Sequence, residues 1–350
     1  MPNRICTRPL RWARITNDQC VTTVIRSSQR DEGSEIKYTE QPVDPVKEGN
    51  MEQNGTSEFF CRHIKHDEVE EAYNIVDKEG WNLTLEKFRL LCKKQPRNFY
   101  VAVTPDGEVA GTVSYTQTFA DEYILGNLVV KETMRKKGLG RKIVQDTLEM
   151  FRHKVIHLTA VPGADQFYLN LGFQMSEPQQ GHEIRHILVD VKLVDGRVQA
   201  MGNAADDISI APFDKANLEE FIRFDSHMRG YDNTVYASVV AGCTKVLVAR
   251  RKSNKKFVGY VSAFMKREEI VLDGLFADSD DIATLLFREI LNQFPETTKV
   301  KLQMFPSNQF LVQFGQVVMS EVYNRYSLGG NPTPVPEAKT YNVSDCDYAL

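Results

Sequence analysis

Several features that would point to a special class of protein are missing from this sequence. Its six cysteines are scattered and contain no Cys-x-x-Cys pair, which argues against a disulfide framework and a zinc ribbon. Cys61, His63 and His66 are spaced like metal ligands, but no second ligand pair is evident, so no metal is predicted. No apolar run approaches the roughly 18 residues that a membrane-spanning helix needs, and no signal-peptide core follows the first methionine. A soluble cytoplasmic protein is therefore expected.

The sequence also lacks a strong charge of either sign. The formal net charge is −4 and the isoelectric point is near 6.0, so neither nucleic acid nor a membrane is expected as a partner. The first 30 residues are the exception, because they contain six arginines and one acid, Asp18. Mitochondrial presequences share this basic, acid-poor bias, which makes the mitochondrion the alternative location.

Both ends of the chain differ from its centre. Residues 1–57 are polar and lack hydrophobic periodicity, which predicts a disordered arm. Residues 331–350 contain Pro332, Pro334 and Pro336, which favours a flexible tail. The length of 350 residues and the hydrophobic content of 42% are enough for two domains with cores of their own between these ends.

The central part of the chain repeats one pattern at a domain-sized period. Residues 99–114 read as a β-hairpin, and residues 245–262 match them with the same last strand. Two helical patterns precede each hairpin, and a strand, a helix, a strand and an aromatic-x-x-x-small motif follow it. These other elements are predicted at 66–78, 83–93, 122–130, 140–153 and 155–161 in the first half, and at 217–228, 234–241, 270–276, 281–293 and 298–304 in the second. The order β-α-α-β-β-β-α-β-α-β-β predicts an α/β (α+β) protein with tandem domains at 58–195 and 206–330, each a mixed central sheet flanked by helices.

A cationic glycine loop follows the predicted strand 122–130 of the first half. It reads Arg135-Lys136-Lys137-Gly138-Leu139-Gly140, and residues 131–142 contain six cations and a single acid, Glu132. Glycine adopts backbone angles that other residues avoid, and a helix start offers unpaired N–H groups and the positive end of its dipole. The loop therefore predicts a site for an anion such as a pyrophosphate. The structural alternative is a cationic turn that simply begins a solvated helix.

The order Val130-x-x-x-x-Arg135-x-x-Gly138-x-Gly140 on a strand, loop and helix resembles the acyl-coenzyme-A signature of the GNAT superfamily of N-acetyltransferases. The resemblance implies acetyl-CoA as cosubstrate, bound by the loop and by the main chain of the preceding strand, which splays from its neighbour at a bulge. Many members have proline where this chain has Glu132, so that carboxylate has to point away from the phosphates. The implied coenzyme-binding residues are Leu128, Val129, Val130, Arg135, Lys136, Lys137, Gly138, Leu139, Gly140 and Arg141.

The resemblance also implies a proton donor. Tyr168 occupies the aromatic place of the Tyr-x-x-x-Gly-Phe motif, where many members carry the acid that protonates the CoA thiolate. A core aromatic is the structural alternative. Glu122, beside the strand, is the candidate general base, although carboxylates at strand ends are usually only solvated. In the second half, Asp225, Tyr231 and Asp232 belong to a polar cluster at a helix end and are candidates to contact the acceptor.

The second half has a different loop at the position of the glycine turn. Ala277-Asp278-Ser279-Asp280-Asp281 contains three carboxylates and no glycine, so it would repel phosphates. Acids and serine are good helix caps, which explains the sequence without a ligand. We expect a degenerate copy that covers the first domain or shapes the acceptor pocket, as the resemblance to two-domain acetyltransferases with a divergent C-terminal GNAT-like domain implies.

The predicted function is transfer of acetyl from acetyl-CoA to a primary amine by direct attack, without a metal or a covalent intermediate. The acceptor is a small-molecule amine or a protein lysine, and the protein is a monomer or a homodimer. The alternative is a catalytically silent acyl-CoA-binding or scaffold protein, because an intact coenzyme cleft does not require a working acceptor site.

Overall fold

The computed structural model describes residues 59–119, 121–334, 336–337 and 339–343, with the backbone only for 177–182 and 204. The predicted N-terminal arm and residues 344–350 of the predicted tail lie outside these ranges. In the described ranges, no helix is long and apolar enough to cross a membrane.

After one short strand, the first half has two amphipathic helices, and its other strands follow them. Ala72 and Val76 on the first helix and Leu91 on the second are fully buried, and Thr84 caps the second helix by accepting from the backbone N–H of Lys87. The elements of this half are β1 (Phe60–His63), α1 (Val69–Asp77), α2 (Leu85–Lys94), β2 (Phe99–Val103), β3 (Val109–Phe119), β4 (Glu122–Val130), α3 (Leu139–Leu148), β5 (Val155–Ala160), α4 (Asp165–Leu169) and β6 (Gln174–Val189).

The second half repeats this order after a connecting helix. Its elements are α5 (Val191–Ala200), β7 (Ile208–Pro212), α6 (Leu218–Arg229), α7 (Thr234–Cys243), β8 (Lys245–Arg251), β9 (Phe257–Lys266), β10 (Glu269–Ala277), α8 (Asp280–Asn292), β11 (Lys299–Met304), β12 (Gly315–Leu328) and β13 (Thr340–Asn342). The predicted α/β class and the duplication of the hairpin, helix and strand pattern are confirmed.

The strands in the described part of the chain form one mixed sheet, 13 in number, that spans both halves. The order is β1-β2-β3-β4-β5-β12-β6-β11-β10-β9-β8-β7, with β13 beside β10. The pairs β4–β5 and β10–β11 are parallel, and the other pairs are antiparallel. The last long strand of each half crosses to the other half, because β12 pairs with β5 and β6 pairs with β11.

This exchange explains a difference from the sequence prediction. Two final strands were expected in each half, but α4 is followed by one long strand, β6, before α5. The additional neighbour of β5 comes from the second half, so the two sheets merge instead of closing separately. The predicted domain limits at 195 and 206 fall in α5 and in the turn that follows it, and they stay a prediction.

Three groups of buried apolar residues lie against the sheet. One group joins α1 and α2 of the first half to α6 and α7 of the second half on one face. The other two contain α3 and α4 against the first half, and α5 and α8 against the second. A buried ion pair between Lys87 Nζ and Asp273 Oδ1, 2.7 Å apart, links the halves beside the shared group, and the Tyr236 hydroxyl donates to the same carboxylate. Removing one partner of such a pair typically costs about 3–5 kcal/mol.

Part of the predicted flexible tail is ordered. Residues 340–342 form β13 and are almost fully buried against β10. The Thr333 N–H donates to Glu122 Oε2 at 2.9 Å. Residues 340–342 of the predicted tail therefore return to the sheet, because backbone pairing with β10 outweighs the proline-rich composition of the segment.

Candidate functional site

A bulge in β4 lies directly before the cationic loop. The register with β3 pairs Val129 with Thr112 and Gly126 with Ser114, so β4 contains one extra residue between these pairs. Asn127 sits there with φ of 50°, a left-handed angle that asparagine tolerates better than most residues. Its buried amide Nδ2 donates to Ser114 Oγ at 2.8 Å, which fixes the bulge.

The bulge coincides with a gap in the sheet. The parallel ladder between β4 and β5 ends at Ile124 and His157, so Leu128, Val129 and Val130 have no ladder partner on the β5 side among the residues that the structure describes. Their other edge is paired with β3, where Gly111 lies opposite Val130. The main chain predicted to receive the acyl group therefore borders an opening.

The glycine loop connects the end of β4 to α3. Gly138 is the residue before α3 and has φ of 80° and ψ of −1°, and a side chain built there would meet nothing within 4 Å. No side chain among the described residues caps the N–H groups of the first turn of α3. Lys136, Lys137 and Arg141 are exposed, whereas Leu139 is buried and anchors the helix. Glu132 is exposed as well. An anion has free access to this loop.

Arg135 braces the loop instead of projecting freely from it. Its Nε donates to the carbonyl oxygen of Val130 at 2.8 Å, and its guanidinium forms an ion pair with Glu79 after α1. The loop is thereby tied to the end of β4 and to the turn that follows α1. The field of its positive charge still reaches an anion on the loop, in competition with Glu79.

A pocket passes through the gap between β4 and β5. Tyr168 enters it from the α4 side of the sheet, and Trp81, from the loop between α1 and α2, lines it on the opposite side. The pocket therefore brings the predicted proton donor together with the bulge and with residues of the second half. Its described lining is Trp81, Asn82, Leu125, Gly126, Asn127, Leu128, Thr159, Val161, Tyr168, Ile184, Lys301, Gln303 and Tyr323.

Tyr168 is held in place partly by the second half. It is 9% exposed, and its ring packs against Phe173 and Tyr326 with centroids 5.8 and 6.3 Å away. The Tyr326 hydroxyl on β12 donates to Asp165 Oδ1 at the start of α4, at 2.6 Å. The exchanged strand thus fixes the short helix that carries Tyr168.

The second half also fixes the side of the pocket that Trp81 and Asn82 line. Lys266 at the end of β9 donates to the carbonyl oxygens of Trp81 and Leu83, at 2.5 and 2.9 Å. Its ammonium also pairs with Asp77 at 2.8 Å. The loop that carries Trp81 and Asn82 is therefore anchored by the neighbouring half.

The other predicted residues lie elsewhere. Glu122 is six positions before Leu128, which is about 20 Å along a strand, and its carboxylate accepts from Thr333. Asp225 is buried and bound to Arg229, Asn233 and Tyr260. Tyr231 packs against Phe119, and Asp232 accepts from the Thr234 N–H at the start of α7. These four side chains have structural contacts and none is among the described pocket residues.

The sequence did not predict most residues on the Trp81 side of the pocket. Trp81, Asn82, Lys301, Gln303 and Tyr323 come from three separated segments that only the strand exchange brings together. Trp81 carried the best available signal, since tryptophan is rare in this chain and lies next to a polar loop residue, Asn82. Nothing local marked the others.

Comparisons with known proteins agree with this arrangement. The family model for the acetyltransferase (GNAT) domain matches residues 60–190. A putative acetyltransferase from Pyrococcus horikoshii is 16% identical with a TM-score of 0.61, covering 85% of this chain and 98% of its own. A tandem GNAT protein from the clavulanic acid biosynthesis pathway, solved without acetyl-CoA, is 14% identical with a TM-score of 0.53, covering 79% and 100%. A GCN5-related N-acetyltransferase from Anabaena variabilis is 12% identical with a TM-score of 0.53, covering 76% and 72%.

These identities establish likeness of fold. No curated protein matches the sequence.

Proposed function

We propose that this chain, whose residues 60–190 match the acetyltransferase (GNAT) domain model and whose fold is similar to that of a tandem GNAT protein, transfers acetyl from acetyl-CoA to a primary amine. The observation that supports the proposal is the pocket that joins the β4 bulge, at Asn127 and Leu128, to Tyr168. The amine is proposed to enter from the side of Trp81 and Lys301.

The described residues fit the coenzyme. Gly138 leaves open space above the start of α3, and Lys136, Lys137 and Arg141 are exposed around it. Backbone N–H groups of Leu139 and Gly140 at the helix start would bind the pyrophosphate. Leu128, Val129 and Val130 would bind the pantetheine and the acetyl oxygen through their main chain, along the edge that β5 leaves open. Acetyl-CoA supplies the activated acyl group as a thioester.

Tyr168 is proposed to supply the proton for the leaving group. The amine nitrogen forms the new C–N bond to the acetyl carbon, the C–S bond breaks, and the thiolate takes the Tyr168 hydroxyl proton. The nitrogen loses a proton to water in the open pocket, and water restores the tyrosine. General acid catalysis of this kind typically contributes a factor of about 10²–10⁴.

The acceptor must arrive as a neutral amine, because an ammonium has no lone pair for attack. None of the described lining residues is a carboxylate or a histidine. We therefore assign deprotonation of the ammonium to bulk water before binding, and propose no protein base.

The test is calorimetric titration of acetyl-CoA into the wild-type protein and into Gly138→Asp. A carboxylate at this open position should repel the phosphates and reduce affinity at least 10-fold, about 1.4 kcal/mol. Gly202→Asp is the matched control, because Gly202 is also exposed, has φ of 51° and has nothing within 4 Å of an added side chain.

Failure of a folded wild-type protein to bind acetyl-CoA would overturn the proposal. Equal affinity of Gly138→Asp and Gly202→Asp would place the coenzyme elsewhere. Tight binding without turnover of any amine would instead support the silent acyl-CoA-binding alternative.

A further inference from the structure

The charge of the pocket is unusual for a site that accepts an amine. Lys301 is the only described lining residue that carries a formal charge at neutral pH. The remaining lining side chains are apolar, aromatic, amide or hydroxyl groups. Among the described lining residues, an ammonium ion or a polyamine would therefore meet a like charge and no carboxylate.

Lys301 reaches the pocket from the second half. It lies on β11, where it pairs with Val271 of β10 and His186 of β6, and it is half-buried. Gln303 is two residues further along and faces the same side of the sheet, because side chains alternate along a strand. The cation is thus fixed in a central strand, not carried on a mobile loop.

A second cation lies beneath the pocket. Arg325 on β12 is directly opposite the pocket residue Thr159 on β5, so both side chains are on the same face. Arg325 is only 4% exposed, and within the described residues neither its Nε nor its Nη2 has a hydrogen-bond partner. The Thr159 hydroxyl also lacks a partner among these residues.

No acidic group among the described residues neutralises this charge by direct contact. Burial lowers the pKa of Arg325, and the charges of Glu337 and Glu122 only partly oppose this shift. The Glu337 carboxylate accepts from Ser307, and the Glu122 carboxylate accepts from Thr333. Burial, and then the charge of Arg325, lower the pKa of the neighbouring His157 to about 3, so this imidazole is neutral near pH 7. The floor of the pocket is therefore positive.

We propose that the acceptor is a primary amine that also carries a carboxylate, as a free amino acid does, and that Lys301 binds this carboxylate. The inference rests on the proposed acetyl transfer. A positive site attracts the carboxylate and disfavours the ammonium form of the amine, so it favours both binding and the neutral nucleophile. The positive charge of Arg325 attracts the carboxylate through the electrostatic field beneath the pocket, so Arg325 does not need to contact the acceptor.

The test compares acceptors that differ in the carboxylate alone. Free thiol release from acetyl-CoA is measured with phenylalanine, phenylalaninamide and phenethylamine, and with ornithine and putrescine, at equal concentrations of the free-base amine. The wild-type kcat/KM should be at least about 10-fold higher for the carboxylate than for its amide. The ratio of kcat/KM for the carboxylate to kcat/KM for the amide should fall towards one in Lys301→Gln. It should be lower still in Lys301→Glu.

Lys299→Gln is the matched control, because Lys299 is exposed, lies two residues away on β11 and is outside the pocket lining. It should leave the ratio unchanged. Equal or faster turnover of the amides, of putrescine or of a lysine peptide by the wild type would overturn the inference, and so would failure of every carboxylated amine in a protein that binds acetyl-CoA. Absence of acetyl-CoA binding would instead defeat the underlying function. The wild-type ratio is informative even if a Lys301 variant does not fold.

Discussion

The shared sheet has one gap between parallel strands in each half, at equivalent positions. The two gaps differ in what lies in them. In the first half the parallel ladder ends at Ile124 and His157, and in the second half it ends at Val271 and Lys301. A bulge follows in both first strands, with φ of 50° at Asn127 and 137° at Gly274. The same backbone device therefore exists twice.

The contents of the two gaps differ. In the second half β13 pairs with β10 and also reaches β11, because the Val343 N–H donates to the Gln303 carbonyl oxygen at 2.7 Å. No described segment does this between β4 and β5. The edge that we propose for the coenzyme in the first half is thus occupied by the protein's own chain in the second.

The loops that follow the two gaps also differ in length and charge. Residues 131–138 separate β4 from α3, whereas only Asp278 and Ser279 separate β10 from α8. Ser279 caps α8, as expected from the sequence, and Asp278 pairs with Lys339 next to β13. The Tyr341 hydroxyl on β13 donates to Asp280 Oδ1 at 2.6 Å. Asp278 and Asp280, which would repel a phosphate, thus bind β13 and its neighbouring residue Lys339. The second gap is therefore filled by the protein's own strand and has a structural role.

The largest expected effect comes from replacing the proposed proton donor of the first half by the residue type that the second half has at that position. The aromatic motif of the second half has Phe310 where the first has Tyr168, and Phe310 packs against Tyr341 of β13. Tyr168→Phe should lower kcat by about 10²-fold or more while acetyl-CoA affinity is kept, because only the proton for the thiolate is lost.

The measurement is the steady-state rate of thiol release, with Tyr123→Phe as control, since Tyr123 is a half-buried tyrosine on β4 outside the pocket. A kcat within 2-fold of the wild type would remove Tyr168 from the chemistry and leave it as a core aromatic.

The second-largest expected effect concerns His157. Its buried imidazole lies at the end of the first parallel ladder, the position that Lys301 has in the second. The folded-state pKa of His157 is about 3 and the unfolded value is 6.5. Below pH 6.5 the unfolded chain takes up a proton that the folded protein refuses, so stability is lost as the pH falls from 6.5 towards 3. Between pH 7.5 and 5.0 this group should lower the free energy of unfolding by about 2 kcal/mol.

Urea unfolding of the wild type and of His157→Gln at both pH values measures this contribution as the difference between their pH-dependent losses. His66→Gln is the exposed control and should follow the wild type. Identical losses for wild type and His157→Gln would mean that the imidazole titrates normally in the folded state.

Local patterns predicted the elements of this protein and failed to predict their partners. The hairpins, the glycine turn at Gly138 and the acidic cap at Ser279 depend on a few neighbouring residues, and the structure has each of them. The exchange of β6 and β12, and the insertion of Thr340–Asn342, depend on backbone hydrogen bonds between distant segments. Such pairing leaves no periodicity in a strand of three residues. The pocket residue Lys301 was missed for the same reason.

The smallest expected effect tests the inserted strand itself. Asn342 is fully buried, accepts from the Gln303 N–H at 2.7 Å and donates to the Leu272 carbonyl oxygen at 3.0 Å. Its amide therefore ties β10 to β11 across the second gap. Asn342→Ala removes both bonds and should lower the free energy of unfolding by about 1–2 kcal/mol. Asn292→Ala, at the exposed end of α8, is the control.

Calorimetry on the same variant tests which feature would keep acetyl-CoA out of the second half. Asp278, Asp280 and Asp281 remain in place, and the loop still lacks a glycine. We therefore expect one acetyl-CoA per chain in both Asn342→Ala and the wild type. A second bound acetyl-CoA in the variant would show that β13 alone blocks a competent site. The two gaps would then differ only in whether β13 fills them, and not in their ability to bind phosphates.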